Sequence, residues 1–254
     1  MFDPMEHLKI SVVIPCLNEE KHIETCIRSI LDNGYPKELL EIIVIDGESS
    51  DNTIPILKKM QSEFNQIAIL VNSKKITPVS LNMGLKHATS PYVLIASAHS
   101  SFDPNYIQIL KDAIQNTKDA IGVGGPMKTL VKNETAISCA IQEILQHRFG
   151  VGNSTFRTGS PEKVAVDTVP FGLYKLESLL AVGGYNERLV RNHDMELSKR
   201  LGEKGGKIYL IPETSCNYFA RESYAQMTSN NYKNGKWNML TVFITRRFSS
   251  LSLR

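Results

Sequence analysis

Two stretches decide the fold: Ile10-Ser11-Val12-Val13-Ile14-Pro15-Cys16-Leu17-Asn18-Glu19-Glu20, and Glu41-Ile42-Ile43-Val44-Ile45-Asp46-Gly47-Glu48-Ser49-Ser50-Asp51-Asn52-Thr53. Each opens with an unbroken apolar, mostly β-branched run and stops at a Pro or Gly followed by acids, amides and hydroxyls. Unbroken Val/Ile runs without polar alternation read as strands covered on both faces. The polar endings read as loops at the carboxyl ends of those strands, where ligands bind in open α/β sheets. Working outward, helical patterns follow each run. Glu19–Leu31 carries Ile23, Ile27, Ile30 and Leu31 on one stripe, and Asp51–Glu63 is the second helix. A strand Ile67–Val71, a helix Pro78–His87, a strand Tyr92–Ala96 and a helix Pro104–Gln115 continue the alternation. Strands and helices alternating at this spacing predict an α/β fold with a mostly parallel central sheet and helices on both faces.

Beyond Gly122 the rhythm loosens. Gly122–Gly125 reads as turn-rich, Glu134–His147 as a helix, and the Gly/Ser/Thr-rich Gly150–Gly159 as a mobile loop near a ligand or, equally, a plain surface loop. A helix–strand unit is expected over Asp194–Ile211. No Pro/Gly linker forces a boundary, so one domain is expected over 1–220. Its nucleotide-binding half spans about 9–125 and its acceptor half about 126–220, and a basic amphipathic tail covers 221–254.

From Ser223 to Arg254 there is no Asp or Glu. Lys233, Lys236, Arg246, Arg247 and Arg254 are interleaved with Trp237, Met239, Leu240, Val242, Phe243 and Ile244. Cations among aromatics and aliphatics suit a segment lying on anionic lipid headgroups, and equally a helix packed on the body with a solvated basic face. The abrupt end at Ser249–Arg254 raises the expectation of a longer protein continuing into a membrane segment.

Composition narrows the function classes. The chain has 254 residues with 42% hydrophobic and 22% charged side chains, which excludes disordered, collagenous and coiled-coil classes. Its net charge of +3 gives no case for a nucleic-acid partner. Cys16, Cys26, Cys139 and Cys216 are scattered without CxxC spacing, so free thiols in a reducing cytosol are expected rather than a disulfide framework or metal knuckle. The acidic start carries no secretory h-region, and no run approaches the ~18 apolar residues of a membrane span.

At the first strand end, Pro15 and Asn18 can present backbone and amide groups to a base or ribose, or simply form a turn and helix cap. At the second, a strand-tip carboxylate, Asp46, can accept from a base N–H. Asp51 caps the next helix and can reach a ribose hydroxyl; capping explains Ser50 or Asp51 but not Asp46. There is no GxGxxG and no GxxxxGK[ST], so dinucleotide and P-loop readings lose their support.

Taken in order, Val12-Val13-Ile14-Pro15-x-x-Asn18-Glu19 and Ile43-Val44-Ile45-Asp46-Gly47-x-Ser49-x-Asp51-x-Thr53 resemble family 2 glycosyltransferases. Ser80-Leu81-Asn82-Met83-Gly84-Leu85, Gly124-Gly125-Pro126, Asn192-His193-Asp194-Met195-Glu196-Leu197 and Gly205-Gly206-Lys207-Ile208 extend the match to about residue 240. The chain is most similar to the subgroup that builds bacterial exopolysaccharides, including succinoglycan, on lipid-linked acceptors. The resemblance implies a GT-A fold and an inverting transfer from a nucleotide-sugar, with a UDP-sugar as the first expectation. It places Pro15, Asn18, Glu19 and Asp46 on the nucleoside, Asp51, Lys74 and Lys75 near the ribose and diphosphate, and Asn82 beside the donor.

The family's Asp-x-Asp metal motif reads Ser97-Ala98-His99 here. Ser97 stands where an Asp contacts donor or metal, and His99 is the expected ligand for Mg²⁺ or Mn²⁺, with one negative charge fewer. Asp194 takes the place of the catalytic base. Glu196, Lys236 and Trp237 are expected at the acceptor, Lys233 and Lys236 standing where the family has Gln and Arg, and Trp237 reads equally as an interfacial anchor. Residues two apart leave a helix in different directions, so only one of Asp194 and Glu196 should face the substrate, and Asp194 is the expected one. The implied location is the cytoplasmic face of the cell membrane, peripherally bound.

Two rival classes were open. A sugar-nucleotide pyrophosphorylase would need a Gly-rich basic loop after the first strand, which Pro15–Glu20 lacks. A degenerate domain that binds nucleotide or sugar without transfer is the alternative that Ser97-Ala98-His99 leaves standing.

Overall fold

The computed structural model describes residues 8–152, 154–220 and 223–246. In chain order its elements are β1 (Ile10–Cys16), α1 (Ile23–Leu31), β2 (Leu40–Asp46), α2 (Thr53–Glu63), β3 (Ile67–Val71), α3 (Thr77–His87), β4 (Tyr92–Ile95), β5 (Ser100–Phe102) and α4 (Tyr106–Gln115). Then come β6 (Ala120–Gly124), β7 (Met127–Leu130), α5 (Ala136–Gln146), α6 (Arg148–Val151), α7 (Thr155–Thr158), β8 (Val164–Val166) and β9 (Leu173–Lys175). The chain continues through α8 (Leu176–Ala181), α9 (His193–Glu203), β10 (Lys207–Leu210), β11 (Cys216–Phe219) and α10 (Tyr224–Thr245).

Eight strands form one sheet in the order β3-β2-β1-β4-β9-β6-β10-β8. β3-β2-β1-β4 is parallel throughout, as is β6-β10. β9 enters antiparallel between β4 and β6, and β8 is an antiparallel edge. A second sheet, β5-β11-β7, stands apart. The expected mostly parallel α/β sheet is therefore present.

The unbroken apolar runs explain the layering. On β1, Ile10, Val12 and Ile14 face one core with α1, α2 and α4, while Val13 faces the other with α3, α8 and α9. On β2, Ile42 and Val44 take the first side and Ile43 and Ile45 the second. Both faces are dry, so period-two alternation vanishes from the sequence. Gly84 sets the approach of α3: a Cβ there would stand 2.3 Å from Val13 Cγ1.

Register brings the loops together. Cys16 pairs with Asp46, and Asp46 with Val71, so β1, β2 and β3 end level. The Ala96 amide donates to Val13 O at 3.0 Å, which brings the 96–99 turn alongside Pro15.

Three expectations are corrected. Gly122–Gly125 is not a turn: Gly122 and Gly124 lie within β6, because Cβ atoms there would meet the Tyr174 ring at 2.5 Å and Val169 at 2.7 Å. The loop over 150–159 contains α6 and α7, and Phe156 packs against both cores. The first helix starts at Ile23, since Asn18 adopts a positive φ and Glu19 O accepts from His22 N in a turn.

In the tail, Ser223 caps α10 by accepting from Gln226 N. At 100° per residue, Tyr232, Lys236, Met239, Phe243 and Arg246 share one face, and all are exposed. Asn230, Asn234, Asn238 and Thr241 occupy the opposite face, and the three asparagines bond the loop before α9. The tail helix thus turns an apolar-basic face to solvent, the inverse of a sheltered apolar stripe, while Trp237 and Ile244 are half-buried on the side of the asparagines. Arg247 and Arg254 lie outside the described residues.

Candidate active site

The loops after β1 and β2 are zipped together. Asn18 N donates to Ser49 Oγ (2.8 Å), Glu19 N to Thr53 Oγ1 (2.8 Å) and Glu20 N to Asp51 Oδ2 (3.1 Å). Asn18 Oδ1 accepts from Ser50 N at 2.8 Å, and Glu20 Oε2 accepts from Asn52 N at 3.0 Å. Asp51 also accepts from Thr53 N and Thr53 Oγ1 at 3.0 and 2.5 Å, an arrangement that lowers its pKa against the opposing desolvation.

Asp46 is 1% exposed and accepts from Ser49 N (2.9 Å), Ser49 Oγ (2.5 Å) and the Cys16 thiol (3.7 Å). Asp46, Asp51 and Asn18 therefore hold the shape of these loops. None of the three lines the cavity described next, which differs from the base and ribose contacts expected of them. A strand-tip carboxylate has the same sequence signature whether it turns outward to a ligand or inward to its own loop.

A cavity of about 240 Å³ opens at the carboxyl ends of β1 and β4. Pro15 and Ser97 line it from those strand ends, joined by Phe171 just before β9 and Tyr174 on it. Tyr185, His193 and Asp194 close the opposite wall. Asp194 is exposed in the first turn of α9, where the helix dipole favours a carboxylate. The turn that presents it is held from outside: Arg191 Nη1 donates to Asn230 Oδ1 (3.0 Å) and Asn234 Oδ1 (2.6 Å), and Asn192 Nδ2 donates to Asn238 Oδ1 (2.7 Å). Asn192 itself has φ 59°, a left-handed conformation that Asn tolerates.

Glu196, expected at the acceptor, points elsewhere. It is buried, and its two oxygens accept from Arg200 Nε (2.8 Å) and Nη2 (2.6 Å), while Arg200 also donates to Val182 O and Gly184 O. Two positions along the helix separate the exposed acid from the buried ion pair, as helix geometry requires.

Asn82 is likewise occupied. Its amide exchanges hydrogen bonds with the Tyr185 backbone at 2.8 and 2.9 Å and donates to Glu187 Oε1 at 3.0 Å. This contact fixes the segment that carries Tyr185 into the cavity wall. Lys74 forms an exposed ion pair with Glu187 at 3.7 Å and does not line the cavity. Lys75 pairs with Glu48 at 3.0 Å. On α10, Lys236 is exposed and Trp237 half-buried, and neither lines the cavity.

His193 stands in the sequence beside Asp194, where it could tune the base, but the sequence does not show its surroundings. The residue is half-buried in the cavity wall, its ring edge-on to Tyr185 at 5.6 Å, and its buried Nδ1 has no hydrogen-bond partner among the described residues. Burial lowers its pKa below the ordinary imidazole range, opposed in part by the Asp194 carboxylate, so the ring is neutral near pH 7. Burial also raises the Tyr174 and Tyr185 pKa values, so both are neutral phenols.

Beside this cavity lies a second, of about 550 Å³, lined by Glu19, His22, His99, Lys132, Tyr218 and Phe219 among others. His99 Nδ1 stands 3.1 Å from Glu19 Oε1, and Ser97 Oγ is 3.2 Å from the His99 ring. Glu19 and His99, expected on nucleoside and metal, are thus brought together. One carboxylate, one imidazole and one hydroxyl form a partial donor set for a divalent cation and suit Mn²⁺ better than Mg²⁺, which prefers oxygen throughout. No cluster of three or more His, Cys, Asp or Glu side chains occurs among the described residues, so ligand or water oxygens would have to complete the shell.

Residues 11–174 match the family model described as Glycosyl transferase family 2. The succinoglycan biosynthesis protein ExoA of Rhizobium meliloti is 30% identical over 83% of this chain and 63% of its own length. A Methanococcus voltae enzyme is 28% identical over 84% of this chain and 68% of its own. Its name is dolichyl N-acetyl-α-D-glucosaminyl phosphate 3-β-D-2,3-diacetamido-2,3-dideoxy-β-D-glucuronosyltransferase.

Among solved structures, S. aureus TarS in complex with UDP-GlcNAc superposes with a TM-score of 0.65 at 18% identity, over 85% of this chain and 60% of that one. GalNAc-T7 with UDP, GalNAc and Mn²⁺ gives 0.69 at 15%, over 87% and 45%. At these identities the structural likeness speaks for the GT-A fold alone. The chain spans roughly half to two thirds of the length of the proteins it matches. The family model covers well over half of the chain, and its motifs coincide with the strand ends that line the cavity: this chain belongs to glycosyl transferase family 2.

Proposed function

We propose that this chain moves one sugar from a nucleoside diphosphate donor, a UDP-sugar foremost, to a saccharide carried on a lipid phosphate, with inversion at the anomeric carbon. The observation that carries the reading is the exposed Asp194 carboxylate facing, across one cavity, Pro15 and Ser97 at the carboxyl ends of β1 and β4. Its family membership and the naming of ExoA for succinoglycan biosynthesis support a place in polysaccharide assembly. The dolichyl phosphate in the name of the M. voltae relative supports the lipid-linked acceptor, and the UDP-GlcNAc complex of TarS supports the donor class.

In this mechanism the acceptor hydroxyl enters the cavity and its oxygen attacks the anomeric carbon. Asp194 takes the hydroxyl proton as that bond forms. The bond from the anomeric carbon to the diphosphate oxygen breaks, and its electron pair leaves on the nucleoside diphosphate. A positioned general base of this kind contributes about 10²–10⁴-fold to rate. His193, neutral and half-buried beside Asp194, excludes water from the wall without adding charge there. Glu19, Ser97 and His99 would hold a divalent cation. When bound, such a cation neutralises charge on the leaving diphosphate.

The membrane surface enters through α10. No described helix is long and apolar enough to cross a membrane. The outward face of α10 nonetheless presents Tyr232, Met239 and Phe243, each at least 68% exposed, with Lys236 among them and Arg246 just past the helix end. Aromatic and basic groups on one exposed face favour peripheral contact with an anionic leaflet, here the cytoplasmic one, over a helix whose apolar side is sheltered. The half on β1–β6 then holds the donor and the half from β7 to β11 receives the acceptor.

The test is release of UDP from a panel of UDP-sugars, with Mn²⁺ and a polyprenyl-phosphate-linked saccharide extract. The expected result is release that requires both donor and acceptor. Tight UDP binding without release from any donor would identify a binding domain instead.

A further inference from the structure

We propose that Arg157 is a phosphate-binding residue of this site, reaching it from the α6–α7 segment; the inference rests on the nucleotide-sugar reading above. Arg157 lies on α7, in the stretch between Gly150 and Gly159, and its neighbour Phe156 is anchored in both cores. Its guanidinium carbon stands 5.7 Å from the ring centroid of Tyr218 and 5.7 Å from that of Phe156. Tyr218 in turn meets His99 edge-on, with 6.0 Å between ring centroids, and lines the cavity shared by Glu19 and His99. One aromatic ring therefore separates this guanidinium from the expected cation-binding imidazole.

The charge of Arg157 is what lacks an explanation. Its Nη1 is buried and has no hydrogen-bond partner among the described residues, and no ion pair involves it there. The other well-sheltered guanidinium, Arg200, is matched by both Glu196 oxygens and two backbone carbonyls. Arg28 and Arg191 also have their partners. Ring faces offset part of the desolvation of Arg157 but do not neutralise it. An uncompensated buried cation is costly, and a guanidinium remains charged despite the depression that burial imposes on its pKa.

A ligand anion that enters on substrate binding would remove this cost, and the planar fork matches the oxygens of a phosphate. Two substrate phosphates could take the place: the diphosphate of the donor and the phosphate that links the acceptor to its lipid. The sequence hid the residue because a single Arg in a Gly/Ser/Thr-rich loop has no motif around it.

Calorimetry with UDP and with uridine, in excess Mn²⁺, tests the proposal on the full chain and on Arg157→Gln and Arg157→Lys. Loss of the charged partner should weaken UDP binding by about 10-fold or more, with Lys intermediate, while uridine, which has no phosphate, binds all three alike. The uridine arm also shows that a variant is folded; if Arg157→Gln is not, the Lys variant carries the comparison. Unchanged UDP affinity with a raised KM for the phosphate-linked acceptor would assign Arg157 to the acceptor phosphate. Unchanged UDP affinity and unchanged acceptor KM would overturn the proposal alone. A parent chain that binds no UDP would overturn the nucleotide-sugar reading and the proposal with it.

Discussion

His193 and Asp194 are neighbours on the first turn of α9 with different surroundings, one ring half-buried in the cavity wall and one carboxylate open to it. The burial that lowers the His193 pKa makes stability depend on pH. An unfolded histidine binds its proton below about pH 6.5. The folded ring resists protonation until lower pH, so in that window the unfolded chain holds more protons. Stability is then present above about 6.5 and lost as pH falls toward the folded pKa. Melting temperatures recorded from pH 7.5 to 5 should fall, and the fall should be shallower in His193→Gln. Part of it persists in the variant because burial, with help from Lys132, also lowers the His22 pKa. Identical slopes in parent and variant would contradict the burial argument.

Legibility at this scale was uneven. The exposed place of Asp194 at a helix start was readable, because its motif and that position agree; its role as base is the proposal made above. Asp46, Asp51 and Asn82 were not, because residue type does not reveal whether a polar group faces ligand or loop. In each case the loop-building contacts supplied short hydrogen bonds close at hand. Glu196 was separable from Asp194 by helix geometry alone, although its partner Arg200 was not foreseen.

Among the elements, β1 to β4 and α1 to α4 were legible within a few residues. Their strands are long, apolar runs and their helices carry clear stripes. β8, β9 and β5 are three residues each, too short for any periodicity to register. β6 was concealed by glycines that make room for Tyr174 and Val169. α10 was expected as amphipathic, but the direction of its faces was not readable: its exposed side is apolar and basic, while Asn230, Asn234 and Asn238 bond the loop before α9.

That inversion yields a prediction for the helix. Lys236→Glu with Arg246→Glu should weaken sedimentation with phosphatidylserine vesicles, each basic residue near the surface contributing about 1 kcal/mol. Replacing Tyr232, Met239 and Phe243 by Ser should weaken what remains on uncharged vesicles. Equal sedimentation of all three chains would leave α10 as a brace for the Arg191–Asn192 turn and nothing more.

For the whole molecule, the sheet order sets β4 beside β1, so that the residues at their carboxyl ends share one opening, and α9 closes it from the far side. The first half thus supplies the floor and the second half supplies the acid, which is why neither half alone reads as a complete site. The central claim is that Asp194 takes the acceptor proton. Its most direct test is single-turnover transfer by Asp194→Asn, with donor affinity measured separately. The substitution is nearly isosteric and leaves the α9 turn and its Arg191 and Asn192 contacts in place. Donor affinity should stay within about twofold, whereas the transfer rate should fall about 10²–10⁴-fold, equivalent to roughly 3–5.5 kcal/mol of barrier. Transfer at the parental rate by a folded Asn variant would contradict the account and move the base to another residue of the cavity.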